Sequence, residues 1–108
     1  MSKGFDPHGA NPASAQEAVT LLKALSHPDR LQILCHLLDG ARHVTELTAA
    51  LGRGQAALSQ QLMRLRAEGL VAADRQGQRV IYRLAKAEVT PIIAALRDAF
   101  CRPPATGG

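Results

Sequence analysis

The 108-residue chain predicts a mainly α domain carrying one β-hairpin, and three observations predict it. Residues 44–68 hold two apolar-striped segments joined at Gly52-Arg53-Gly54, the pattern of two helices meeting at a tight turn. Residues 70–84 hold two short apolar runs around Gln76-Gly77-Gln78, the pattern of a hairpin. Amphipathic segments with apolar residues at helical spacing stand before and after them. Helix-turn-helix followed by hairpin is the layout of a winged helix-turn-helix, here in the order α-α-α-α-β-β-α.

Taken in order, residues 1–13 contain Gly4, Pro7, Gly9 and Pro12 without periodicity and read as a flexible N-terminal arm. Ser14-Ala15-Gln16-Glu17 fits a capping box, so a first helix is expected from there to about Leu25, with Ala18, Leu21, Leu22 and Leu25 in one stripe. Ser26-His27-Pro28-Asp29 restarts a helix that runs to about Asp39, closed by Gly40. Its stripe is Leu31, Leu34, Cys35 and Leu38, widened by Ile33 and Leu37. A short helix from Val44 to Leu51 turns Val44, Leu47 and Leu51 inward, and the next runs from about Gln55 to Glu68 on Leu58, Leu62 and Leu65. Two strands follow, 70–75 and 79–84. A last helix begins near Lys86 and carries Val89, Ile92, Ile93, Leu96 and Phe100 in one long stripe. One domain is therefore expected over 14–102, with residues 103–108 as a flexible tail.

Composition narrows the class. Apolar residues make up 46%, too many for a disordered chain, and no apolar run approaches the roughly 18 residues of a membrane span. The first residues lack the apolar core of a signal peptide, so a cytoplasmic protein with no membrane partner is expected, its two cysteines mostly reduced. The net charge is +4. Between Arg53 and Arg83 stand six arginines against Glu68 and Asp74, which is the whole excess; elsewhere acids and bases cancel. A positive surplus coinciding with a helix-turn-helix and hairpin suits a phosphate-facing surface.

Polar side chains near the start of the second helix of the pair reach base edges when that end enters the major groove. The expected DNA-facing residues there are Gln55, Ala57, Ser59, Gln60 and Arg64, preceded by Val44 and Thr45 at the start of the first helix. At the hairpin tip they are Arg75, Gln78 and Arg79. The stripes of the first and last helices, Leu21, Leu22 and Leu25 with Val89, Ile92, Ile93, Leu96 and Phe100, are assigned to a dimer interface. Cys35 faces inward or toward an interface, a position that suits an inert small hydrophobe as well as a reactive thiol.

LSHPDRLQIL, the helix-turn-helix, LSQQLMRLRAEGLV and GQRVIYRL, in that order, resemble the ArsR/SmtB family of bacterial transcriptional repressors over residues 15–101. The resemblance implies a homodimer paired through its first and last helices. It also implies that an operator DNA duplex, an imperfect palindrome, is held until an inducer binds. Its recognition contacts carry over most directly to Gln55, Ser59 and Gln60, while Ala56 stands where many members have Ser and Gln61 where many have His. Members that bind arsenic or cadmium carry cysteines on the helix that here reads VTELTAAL, which has none. Zinc-binding members use Asp and His on the last helix, and residues 89–101 hold Asp98 but no His. His8, His27, His36 and His43 form no cluster in sequence, so neither a metal site nor a cofactor is expected.

Cys35 in LQILCHLL and Cys101 in LRDAFC resemble the sulfide- and persulfide-responsive SqrR/BigR branch. That branch implies a redox sensor in which low-molecular-weight persulfides or polysulfides join the two thiols through a polysulfide or disulfide bridge and DNA is released. The alternatives are a metal- or arsenical-responsive repressor, a general peroxide or thiol-redox repressor, and a winged-helix interaction module with inert thiols. No base and orienting group accompany either cysteine in the sequence, so an enzyme is not expected.

Overall fold

The computed structural model describes residues 12–100. They form α1 (Pro12–Leu25), α2 (Pro28–Leu37), β1 (Arg42–His43), α3 (Val44–Leu51), α4 (Gln55–Ala67), β2 (Val71–Gln76), β3 (Arg79–Leu84) and α5 (Thr90–Phe100). The expected α-α-α-α-β-β-α order is present, with one short strand added before α3. The ends of the chain and Cys101 lie outside the described residues. No helix among the described residues is long and apolar enough to cross a membrane.

The fold is arranged around α2, which packs against α1, α3, α4, α5 and β3. A helix flanked on so many sides must be apolar over most of its circumference. Ile33 and Leu34 are fully buried, Leu37 nearly so, and Cys35 is 9% exposed. The buried face is thus centred on Ile33, Leu34 and Leu37. Leu31 and Leu38, expected in the inward stripe, are half-buried at its edges. Pro28 sits in the first turn, where its missing N–H has no helical partner to lose. The helix ends at Leu37, two residues before expectation. The N–H groups of Leu38, Asp39 and Gly40 then bond to the carbonyls of Cys35, His36 and Leu37 at 3.2, 3.4 and 3.2 Å, a tightened last turn.

Helix α1 begins at Pro12, inside the expected arm, so Ser14 is not the cap but a buried residue of the first turn. Its inward face adds Ala24 to Leu25. Helix α5 begins at Thr90, later than expected. A turn over 87–89 precedes it, in which the Val89 N–H bonds to the Lys86 carbonyl at 3.1 Å. Pro91 falls in the first turn of α5, where it is tolerated.

The sheet is antiparallel in the order β1-β3-β2. Strands β2 and β3 pair from Val71↔Leu84 to Gln76↔Arg79, which leaves Gly77-Gln78 as a two-residue turn, one residue shorter than expected. Gly77 has φ +63°, a conformation open to glycine at the first central position of a hairpin turn. Strand β1 pairs with β3 through Arg42↔Tyr82 and His43↔Ile81. It therefore ties the start of α3 to the hairpin. Two residues are too few for any periodicity, which is why the strand leaves no mark in the sequence.

Leu34→Ala opens a cavity on the fully buried face of α2, so it is expected to cost about 2–5 kcal/mol in urea denaturation. Gln60→Ala on the exposed face of α4 should stay within about 0.5 kcal/mol.

Candidate nucleic-acid interface and thiol site

Helices α3 and α4 meet through Gly52, whose φ of +65° ends α3 and whose N–H bonds to the Thr48 carbonyl at 2.9 Å. Arg53 Nη2 lies 2.8 Å from Asp29 Oδ1 and pins the turn to α2. Gly54 is the N-cap of α4 in extended conformation, and its carbonyl accepts from the Leu58 N–H at 3.0 Å. No side chain caps α4 and no acid stands in its first turn. The positive end of the helix is left open to an approaching anion.

Leu58, Leu62 and Leu65 bury one side of α4. The other side presents Gln55, Ala56, Ala57, Gln60, Met63, Arg64 and Arg66 to solvent, with Ser59 half-buried. Thus all five expected α4 residues are reachable, four of them openly. Of the pair at the start of α3, Thr45 is exposed, but Val44 is half-buried and packed on the core. Val44 is better described as a packing residue, since its side chain is engaged by the core that holds α3. Sequence reasoning missed Met63, 68% exposed on the same helix. Its position seven residues after Ala56 could have placed it on the outward face.

The hairpin projects Arg75, Gln76, Gln78 and Arg79 into solvent on either side of Gly77. Asp74 and Arg83 pair with each other at 3.0 Å further down the same hairpin. Two of the six arginines in the basic window, Arg53 and Arg83, are therefore already paired. Arg64, Arg66, Arg75 and Arg79 make no ion pair among the described residues. They carry the positive surplus to the surface.

At the opposite end of α2, Cys35 is buried in the core cluster. Arg97 of α5 donates Nη1 to the Cys35 carbonyl at 3.4 Å and pairs with Asp39 Oδ1 at 3.0 Å. Both charged side chains are well exposed, so the pair contributes about 0–1 kcal/mol and matters as a positional tie. Among the described residues no three His, Cys, Asp or Glu side chains gather as metal ligands.

The model of the family described as "Bacterial regulatory protein, arsR family" matches residues 27–73. The HTH-type transcriptional regulator YgaV of Escherichia coli K12 is 45% identical over 91 residues, 82% of this chain and 91% of that protein. The biofilm growth-associated repressor of Xylella fastidiosa Temecula1 is 44% identical over 87 residues, 81% of this chain and 76% of that protein. Reduced HlyU from Vibrio cholerae N16961 superposes with a TM-score of 0.81 at 43% identity, covering 84% of this chain and 96% of that one. The chain belongs to the ArsR family of bacterial regulatory proteins. It is a DNA-binding transcriptional regulator, and its relatives are regulators rather than enzymes.

In the winged helix-turn-helix fold, α4 is the second helix of the pair and the β2–β3 hairpin is the wing. The expected dimer residues divide. Val89, Ile93 and Leu25 are buried within the protomer itself, at 1%, 0% and 8% exposure, and build its core. Leu21 and Leu96 are half-buried against that core. Leu22, Ile92 and Phe100 are 60%, 38% and 81% exposed, joined by Val19, which stands outside the expected stripe.

Arg79→Ala is expected to weaken binding to all duplexes alike and to lower the salt slope of log K by about one, the effect of removing one phosphate-neutralising cation. Gln60→Ala should instead cost about 1–3 kcal/mol on a cognate duplex and relax preference at one base pair. Titrations at several salt concentrations on two sequences separate the two effects.

Proposed function

We propose that the chain is a homodimeric repressor that leaves its operator when reactive sulfur species join Cys35 to Cys101. The observation that carries this reading is the Arg97 tie. Arg97 stands four residues before Cys101 in the chain and reaches the carbonyl of Cys35 at 3.4 Å. The C-terminal part of α5 therefore runs beside the part of α2 that bears the first thiol. A similar solved structure is of HlyU in a reduced form, which supports redox chemistry, and a similar curated protein is a biofilm growth-associated repressor, which supports repression.

The chemistry proceeds in two displacements. One cysteine thiolate attacks the outer sulfur of a persulfide RSSH. The S–S bond of the persulfide breaks, RSH leaves, and the cysteine becomes a persulfide. The second thiolate then attacks the inner sulfur of that group, a Cys–S–S–Cys bond forms, and H2S leaves. The two cysteines are oxidised and the sulfane sulfur is reduced to H2S. Each additional RSSH consumed first inserts one sulfur into the bridge and releases one RSH. Extra sulfurs lengthen the span beyond what a plain disulfide tolerates.

Dimerisation rests on unpartnered apolar surface. Val19 and Leu22 lie three residues apart on α1, and Ile92 and Phe100 lie on α5. Large exposed apolar side chains concentrated on two helices mark an association surface. Two winged heads then face successive major grooves of a palindrome about one DNA turn apart.

Two measurements test this. Glutathione persulfide is expected to release wild-type protein from DNA and to add a Cys35–Cys101 bridge in intact-protein mass spectra, whereas Cys35→Ser and Cys101→Ser stay bound; release of both variants as readily as wild type ends the sensing reading. Leu22→Asp should convert a dimer to a monomer in sedimentation velocity and lower operator affinity at least about tenfold, because two joined heads bind with a high effective concentration.

A further inference from the structure

Asp29 and Arg30 are consecutive residues in the first turn of α2, and each grips a different part of the helix-turn-helix. Asp29 holds Arg53 in the turn ahead of α4. Arg30 Nε donates to Gln61 Oε1 at 2.9 Å, in the body of α4. The two contacts differ in kind. The Asp29–Arg53 pair is half-exposed, with side chains 33% and 51% accessible, and solvent screens it. Arg30 is 5% exposed and makes no ion pair among the described residues. It occupies the core register of α2, preceding Ile33, Leu34 and Leu37 at spacings of three, four and seven. A leucine or methionine there would fill the space without removing a charge from water, and replacing buried charges by apolar groups is often neutral or stabilising. Stability alone does not explain this arginine.

We propose that the Arg30–Gln61 bond is a positioning contact that sets the rotation of α4 on α2 and thereby decides which α4 side chains meet the base edges. Leu58, Leu62 and Leu65 hold α4 on the core, but apolar contact is non-directional. A hydrogen bond is directional and bounded within a few tenths of an ångström. With side chains ending about 5–6 Å from the helix axis, a rotation of about 10° moves their tips by about 1 Å, enough to break a bidentate contact to a base. Gln61 is the immediate neighbour of Gln60, on the exposed face, so fixing one fixes the other. Arg30 and Gln61 act through α4 and are positioning residues; neither is assigned a contact with DNA. The inference rests on DNA binding alone and is independent of the thiol chemistry.

The test uses the full chain and two duplexes of equal length, one selected from a random pool by the wild-type protein and one scrambled. The readout is the ratio of their affinities, with thermal unfolding followed in parallel. Gln61→Leu, and Arg30→Met combined with Gln61→Leu, are expected to lower that ratio by about tenfold or more while affinity for the scrambled duplex changes by less than about threefold. The double variant should melt close to wild type, since no lone buried charge remains, so its reduced discrimination is not misfolding. Gln61→Glu, which keeps the acceptor, should retain the ratio. The proposal is overturned if the double variant folds and discriminates as wild type does, or if the variants weaken both duplexes equally. Should the double variant fail to fold, Gln61→Met with Arg30 left in place decides by the same ratio.

Discussion

Everything in this protomer depends on α2 being enclosed. Ile33 and Leu34 have no accessible surface, and helices α1, α3, α4 and α5 and strand β3 all lean on the same ten-residue helix. Close-packed interiors move as blocks rather than deform continuously. Whatever is fastened to α2 therefore shares its orientation. Its first turn is fastened to the turn before α4 through Asp29 and to α4 through Arg30, and its last turn to α5 through the Cys35 carbonyl and Asp39. Arg30 and Cys35 are five residues apart, about 7–8 Å along the axis. A regulator needs a rigid piece between the place where a signal arrives and the place where DNA is read. This helix has the shape and attachments for that work.

The charge distribution separates affinity from discrimination. Arg53 and Arg83 lie in the basic window but direct their charge to Asp29 and Asp74. The exposed Arg64, Arg66, Arg75 and Arg79 are the side chains proposed to supply the sequence-independent attraction to phosphates. The neutral Gln55, Gln60 and Ser59, with the small Ala56 and Ala57, are the side chains proposed to read base identity. A reading helix that relied on such neutral side chains would tolerate little misplacement, because no long-range field compensates for a broken hydrogen bond.

Most of the architecture is legible in the sequence because its signals are periodic. Leu58, Leu62 and Leu65 define the inward side of α4, and Gly52 and Gly77 mark turns that do adopt positive φ. The parts that are not legible fail for physical reasons. Strand β1 is two residues long and owes its existence to pairing with Tyr82 and Ile81, a tertiary fact. Arg30 escapes notice because charge normally marks a solvent-facing position, although its register with Ile33, Leu34 and Leu37 is present in the chain. The single stripes on α1 and α5 mix two faces. Leu25, Val89 and Ile93 serve the protomer core, whereas Val19, Leu22, Ile92 and Phe100 stay outside it. A stripe in one sequence cannot say which of two apolar partners, its own domain or a second copy, each residue will meet. The inward direction of Cys35 follows from its stripe, but the tie to α5 that gives the position meaning comes from Arg97, a residue that carries no sequence signal.

On the proposed reading, a bridge at the far end of α2 has one physical route to the DNA. Its Cys35 end lies where α2 meets α5, away from Asp29 and Arg30, so it leaves α4 and its clamp chemically untouched. Each head keeps its own surface. What changes is the relation between α5, which carries exposed apolar residues for a partner, and α2, which carries the head. Two heads joined through such helices must meet grooves about 34 Å apart. A rotation of a few degrees at the joint, carried to the tips of both wings, draws several arginines away from their phosphates at once, and affinity falls steeply with the number of phosphates left unneutralised. Release then requires no unfolding and no meeting of sulfur with DNA. It requires only that a rigid protomer be held at the wrong angle to its twin.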